Sequence, residues 1–489
     1  MNKKLQHLEP NLLWHYFEEL CQYPRPSKKE EKVVEYVINL AKTNNINFSR
    51  DEAGNIVFKI PATKGMENKE TVVLQSHLDM VCEKNSGTVH DFDNDPIKAF
   101  VDGDWVRAEG TTLGADNGIG AAASLAVIFD KDAPHGDLEC LFTLDEETGL
   151  TGATNLSKDL LTGKIMLNMD SEEDGALYIG CSGGRDTKGV FKFKYEETAT
   201  KSAFIEVTVR GLKGGHSGLD IQTGRGNAIK MLTRTLMNLD SKFKIRLNSI
   251  NGGSKRNAIP REASAIISCE ISKTAEIISA VSEYCKLLFN EISTVEPGLK
   301  IEAVEIKDSS DRGVIGKELH TNLLNALNAM PHGVLKMSAD IPGLVETSCN
   351  LATIVTTDRM IEIGTSQRSS VESEIEDAVK MAVSVLTLSG AEVHTFDGYP
   401  GWKPDINSGV LNLTKKVYNN LYGSDPEVKA IHAGLECGII KEKYPEMDVV
   451  SFGPTITGAH SPDESLHIPS TTKFYNILKE ILKNVPDRK

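Results

Sequence analysis

The chain has 489 residues, more than one compact domain usually holds, so two or three domains are expected. Hydrophobic residues make up 40% and charged residues 25%, the balance of a soluble globular protein, and a net charge of −15 excludes nucleic acid or an anionic membrane surface as its main partner. The eight cysteines are scattered without a C-x-x-C pair, which fits reduced thiols in the cytoplasm, and no run approaches the ~20 apolar residues of a membrane span.

The first stretch, MNKKLQHLEPNLLWHYFEEL, alternates Leu, Trp and Phe with charges, as an amphipathic helix does, and lacks the unbroken apolar run of a signal peptide. EEKVVEYVINLAKTNN has helical spacing, and INFSRDEAGNIVFKIPA predicts a hairpin turning near Gly54 and Asn55. ETVVLQSHLDMV, LECLFTLDEE and KIMLNMDSE predict strands that are apolar first and polar last, and GIGAAASLAVIFD predicts a helix of small residues. Continuous apolar strands interleaved with helices define a mostly parallel α/β sheet covered on both faces.

The middle of the chain follows the order βαββαβ, an α/β plait: AFIEVTVRG, GNAIKMLTRTLMNLD, KFKIRLNSING, ASAIISCEI, AEIISAVSEYCKLLFNEI and LKIEAVEI. A looser second round runs from ELHTNLLNALNAM to AEVHTFDG, so two plait-like halves are suspected from pattern alone, without a residue-level repeat. After the linker GYPGW, the α/β rhythm returns in SGVLNLTKKVYNNLYG, EVKAIHA and MDVVSFGP. The expected organisation is a catalytic α/β domain, residues 1–184 and 398–489, interrupted by an inserted lid domain, residues 185–397.

Chemistry-bearing residues gather where strands end. His77 and Asp79, the pair Glu146 and Glu147, and Asp170 close three strands, Asp116 lies in a following loop, and His460 follows the last strand. Ligands of open α/β sheets bind beyond the carboxyl ends of the strands. Clustered carboxylates are tolerable where a cation sits among them or some are protonated. Imidazole with carboxylate suits Zn²⁺ or a similar ion better than Ca²⁺ or Mg²⁺, and enough groups are present for two ions sharing a carboxylate. Two metals about 3.5–4 Å apart can together activate a water and polarise a carbonyl. Asp79, two residues from His77 on a strand, faces the same side and can orient it. The adjacent glutamates diverge at a strand end, so one can bind metal while the other holds a proton.

SHLDMV, GADNGIG, DEETG, NMDSE and GAHSPDE, in this order, resemble the metal-site motifs of the two-zinc exopeptidases that include carboxypeptidase G, aminoacylases, tripeptidase T and carnosinases. The wording GADNGIGAAA, GLKGGHSG and HAGLECG is similar to the family's dipeptidases, those acting on aminoacyl-histidine among them. The resemblance covers nearly the whole chain. It implies a metal-dependent dipeptidase with two divalent ions, Zn²⁺ first, with Mn²⁺ or Co²⁺ compatible with the same ligands. His77 and Asp170 hold one ion, Glu147 and His460 the other, and Asp116 bridges, with a cis peptide after it. Asp79 orients His77, and Glu146 is the general base. In the lid, His216 stabilises the oxyanion, while Asn257, Arg368 and Gly434 contact substrate, Arg368 by gripping its carboxylate. An N-acyl amino acid deacylase with the same metal site is the alternative activity. The expected partner is a small peptide, and monomer and homodimer both stay open.

A serine hydrolase is rejected. GCSGG, around Ser182, matches G-x-S-x-G, but the stretch after it reads as strand, whereas that motif needs a helix. A non-catalytic metal binder is disfavoured because every expected position, Glu146 included, is occupied. Glu464 and His467, near His460, are read as residues that either support the ligands from behind or lie on the surface.

Overall fold

The computed structural model describes residues 5, 7–198, 201–307 and 312–488. The chain divides into two units: residues 1–181, 402–430 and 435–489 form the first, and residues 182–401 with 431–434 the second. Sequence reasoning placed the boundaries at 184/185 and 397/398 and did not foresee that residues 431–434 belong to the second unit.

The first unit is built on an eight-stranded sheet. Its centre consists of Leu138–Thr143, Val72–His77, Ile165–Asn168 and Asp448–Ser451, paired in parallel. The first three of these strands are buried throughout, which is why their sequences are continuously apolar rather than alternating. Antiparallel strands flank the centre: Asn47–Arg50 and Ile56–Ile60 on one side, Ala176–Cys181 on the other. Register aligns the strand ends. His77 pairs with Thr143, Gln75 with Asn168, and Asn168 with Ser451, so the following segments leave from one edge of the sheet. The helix Ala115–Phe129 is rich in Ala and Gly, and its small residues let it pack closely against helix Asn11–Leu20 and strand Val72–His77. A hairpin of Ala99–Asp102 and Trp105–Ala108, paired further with Ser465–His467, is an element that sequence reading missed. Those strands are four residues long at most, too short for a periodicity to register.

In the second unit the suspected duplication takes a definite form. The first plait contributes strands in the order Lys300–Ile306, Ser202–Arg210, Ala263–Glu270, Arg246–Gly252. The second contributes Val345–Thr356, Met360–Ser369, Gly183–Lys192, Glu392–Tyr399. Numbered along the chain within each half, these orders are mirror images, and the halves join edge to edge where Gly252 pairs with Ile354. The first strand of the second half, Gly183–Lys192, precedes the entire first half in sequence, which hid the repeat from a linear reading. One apolar core, including Leu232, Ile267, Leu327 and Ile363, runs under both halves.

Phe142 is fully buried on the strand that leads to Glu146 and meets Phe58 edge to face, centroids 5.4 Å apart. Phe142→Ala should cost about 3–5 kcal/mol by loss of burial and a residual cavity. Urea unfolding of the metal-free protein measures this, and an unchanged midpoint would contradict the packing described.

Candidate active site

Seven sequence-singled residues of the first unit converge. His77 ends its strand 1% exposed, and Asp79 follows it fully buried. Asp116 stands between two imidazoles: its Oδ1 lies 3.2 Å from His77 Nε2 and its Oδ2 3.0 Å from His460 Nε2. Asp170 Oδ1 lies 3.3 Å from the same His77 nitrogen, and Glu147 Oε2 lies 3.1 Å from His460 Nε2. Two trios thus share Asp116, namely His77, Asp116, Asp170 and Asp116, Glu147, His460, each with its ligating atoms within 4.8 Å of one another. The peptide bond between Asp116 and Asn117 is cis.

Glu146 and Glu147 are not on a strand. Asp145 adopts a left-handed backbone, and the pair opens a single helical turn, Glu146–Gly149. Both backbone amides of the pair donate to Asp79, Glu146 N to Oδ1 at 3.0 Å and Glu147 N to Oδ2 at 3.2 Å. Asp79 Oδ1 also lies 3.3 Å from His77 Nδ1. One carboxylate therefore fixes the imidazole, leaving Nε2 toward Asp116 and Asp170, and fixes the turn that carries both glutamates. The acidic trio Glu30, Asp79 and Asp145 is satisfied from within: Asp145 N donates to Glu30, Ser27 to Asp79, and Thr148 and Thr151 to Asp145.

The electrostatics separate the acids. Burial raises Asp79, but His77 and the Glu146 amide outweigh it and hold the group down at about 2. Asp116 is likewise lowered, since hydrogen bonds to His460 and His77 overcome its burial. Burial pushes Glu146 well above the carboxylate range; His77 opposes it, and Asp170, Glu436 and Glu147 add to it. Burial also raises Glu147 and Asp170. Glu147 Oε1 is buried without a hydrogen-bond donor, and Asp170 Oδ1 has the His77 ring beside it in a geometry too poor for a hydrogen bond. Spare buried anionic oxygens beside two imidazoles are a donor set that fits divalent cations such as Zn²⁺.

The second unit gathers the other four. Gly215–His216 pairs with Ala258–Ile259, and Ser217 N donates to Asn257 O at 2.9 Å, so His216 and Asn257 are neighbours. His216 Nδ1 accepts from the amides of Gly218 and Leu219 at 3.2 and 3.1 Å. An accepting Nδ1 leaves the proton of the neutral ring on Nε2, a free donor. Burial and Arg368 lower the His216 pKa and keep the ring neutral. Arg368 is 6% exposed and donates from Nη1 to Tyr399 Oη at 2.8 Å and from Nε to Ser217 Oγ at 3.4 Å. A Cβ at Gly434 would fall 2.6 Å from the Tyr399 ring, so only glycine fits there without displacing the tyrosine that holds Arg368. His216 and Asn257 also line an open groove of about 1320 Å³.

Sequence reading missed several supporting residues. Arg25, 2% exposed, donates to the carbonyls of Leu78, Asp79 and Gly114. Glu436, fully buried and raised to about 7 by burial, accepts from Gln75 and Thr143 at 2.6 Å each. His432 meets Ser348 Oγ at 2.7 Å and is held down at about 3, by burial first and then by Arg368. Only a buried polar residue on an otherwise apolar strand, such as Gln75, signals such a network in sequence. Ser182 is buried between strands Ala176–Cys181 and Gly183–Lys192, with no helix after it, as the rejection of a serine nucleophile requires.

Residues 73–484 match the sequence profile of peptidase family M20/M25/M40. The chain is 44% identical over 483 residues to the cytosol non-specific dipeptidase of Escherichia coli (strain K12), covering 99% of each. It superposes on the crystal structure of the aminoacylhistidine dipeptidase from Vibrio alginolyticus with a TM-score of 0.93 at 42% identity, covering 99% of each chain. A tripeptidase from Staphylococcus aureus shares the fold, with a TM-score of 0.56 at 17% identity over 98% of this chain and 99% of the other. The chain therefore belongs to peptidase family M20/M25/M40, and it is a peptidase.

Protons and metal should compete here. Hydrogen bonds to Asp116 and then Glu147 raise His460 to about 11. A raised histidine contributes stability that is complete below its unfolded value of about 6.5 and lost as pH rises toward the folded value. The metal-free protein should therefore lose stability above about pH 6.5, adding to a loss that the raised Glu146, Glu147 and Asp170 begin above their ordinary carboxylate values. The lowered Asp79 acts only below about pH 3.9 and leaves that window untouched. Divalent cations must displace the imidazole protons, so their affinity should rise with pH over the same window. Calorimetry in buffers of differing ionisation enthalpy reads the released protons; pH-independent affinity without release would contradict this arrangement.

Proposed function

We propose that the chain hydrolyses dipeptides at a centre of two divalent cations, with His77 and Asp170 holding one, Glu147 and His460 the other, and Asp116 bridging. The single observation that carries the two-cation reading is Asp116, one carboxylate with an oxygen turned to each imidazole. Dipeptide hydrolysis is supported by the 44% identity over the whole chain to a dipeptidase, and the Vibrio alginolyticus relative brings aminoacyl-histidine dipeptides into the substrate class. Zn²⁺ suits the ligand set, and Mn²⁺ and Co²⁺ share its preferences. The name of the Escherichia coli relative supports a cytosolic setting, and all eight cysteines are unpaired.

When bound, the ions polarise the scissile carbonyl and acidify a water. Glu146 takes that water's proton and delivers it to the leaving amine; its raised pKa makes it a stronger base than a solvent-exposed carboxylate. Asp79 keeps His77 and the glutamate turn in place. His216, with Nε2–H free, donates to the developing oxyanion. Arg368 grips the substrate carboxylate, held flat by Tyr399 and Ser217, and Asn257 and the Gly434 amide complete the contacts. The second unit, residues 182–401 with 431–434, acts as the lid expected at 185–397.

The two glutamates should fail differently. Glu146→Gln keeps shape but cannot accept the proton, so metal content should persist while turnover falls by about 10²–10⁴. Glu147→Gln removes an anionic ligand, and excess metal should partly restore its activity by mass action. Metal titration read against turnover tests both; rescue of Glu146→Gln instead would reverse the assignment. Elemental analysis should find about two equivalents of metal in the wild type. A panel of aminoacyl-histidine dipeptides, other dipeptides, tripeptides and N-acetyl amino acids tests the substrate class. Preference for N-acetyl amino acids would replace the dipeptidase reading with a deacylase.

A further inference from the structure

Glu464 lies four residues beyond His460 and is 2% exposed. Its carboxylate accepts from four consecutive backbone amides: Oε2 from Leu113 at 2.7 Å and Gly114 at 2.9 Å, Oε1 from Ala115 at 2.7 Å and Asp116 at 3.3 Å. Successive amides facing one point form a concavity that favours an anion. Gly114 makes the curve possible by adopting φ +69°, a left-handed value that suits glycine. Glutamine would offer one oxygen and turn its NH₂ against two of the amides. From the other side, Arg25 donates to the carbonyl of the same Gly114. The segment that ends in Asp116 is thus clamped between a buried cation and a buried anion.

Glu464 also belongs to the loop that presents His460. His460 has φ +62°, which a residue with a Cβ seldom adopts, so that loop is held by its surroundings. Glu464 N donates to Ser461 O at 3.0 Å, and the neighbouring Ser465–His467 is anchored to strand Trp105–Ala108. Asp116 and His460, which face each other at 3.0 Å, are therefore both tied to Glu464, Asp116 through its carboxylate and the His460 loop through its backbone, and the carboxylate touches neither of their ligating atoms.

We infer that Glu464 is a positioning residue that sets the geometry between Asp116 and His460, and so governs occupancy of the cation position formed by Asp116, Glu147 and His460. The inference rests on the two-cation reading above. His77 and Asp170 are carried by other segments, so the position they form depends on Glu464 only through Asp116.

The test needs no substrate. Metal-free wild type, Glu464→Gln and Glu296→Gln are titrated with Co²⁺, followed by visible absorption and calorimetry, and melting temperatures are recorded. Glu296 is a matched control: fully buried in the second unit, it accepts from the amides of Lys213 and Gly226 at 2.9 Å each. The wild type should show two binding steps. Glu464→Gln should keep the tighter step and weaken the other by about 10–100-fold, the usual effect of losing a partner behind a ligand. Glu296→Gln should melt earlier with both steps intact. If Glu464→Gln does not fold, Glu464→Asp, which keeps the charge but is one methylene shorter, carries the same test. Two wild-type steps in the Glu464 variant, or equal weakening of both, overturn the inference and leave the two-cation reading standing. A single step in the wild type overturns both.

Discussion

One carboxylate between two imidazoles is the constraint from which the first unit can be understood. Asp116 sits 3.2 Å from His77 and 3.0 Å from His460, while Asp170 and Glu147 crowd the outer side of each ring. In water such a group would disperse. Here the sheet prevents it, because the aligned ends of parallel strands deliver these segments to one edge with little freedom left. His460 comes from 344 residues beyond Asp116 in sequence. Loop-closure entropy grows only logarithmically with length, so that distance costs little more than a short loop would. What matters is that both ends of the connection are rigid.

The second unit solves a different problem. It holds an imidazole and a guanidinium among neutral partners. His216 is oriented by two backbone amides on Nδ1 rather than by a carboxylate, which would have charged the ring. Arg368 is buried against Tyr399 and Ser217, neutral hydroxyls that fix its plane without neutralising it. Among the described residues no acid pairs with it. A buried, positioned, unneutralised guanidinium holds free energy that a carboxylate ligand can recover.

The legibility of these arrangements in the sequence follows their range. Apolar-then-polar strands such as VVLQSH could be read directly, because burial on both faces leaves a continuous apolar run. The helical turn at Glu146 could not, because it depends on amides bound to Asp79, 67 and 68 residues earlier. The two plaits were visible as rhythm, but their joining edge was not, since strand order is set by contacts across the chain. Glu464 could be noted only for its place near His460, and Arg25 carries no local signal at all. A buried charge looks like any surface charge until its backbone partners are known.

The pair Glu146 and Glu147 shows how far identical chemistry can be separated by surroundings. Both are half-buried, both are raised, and both hang from Asp79. Glu147 has spent one oxygen on His460 at 3.1 Å and keeps the other buried and unmatched. Glu146 faces only like charges nearby apart from His77, and its pKa is pushed further up. A carboxylate tied to an imidazole is suited to hold a cation, since its charge is already fixed in direction. A carboxylate crowded by other acids gains most from accepting a proton, which removes the repulsion. The same repulsion that makes the cluster costly to assemble therefore supports the proposed division, with Glu146 as the base and Glu147 as the ligand.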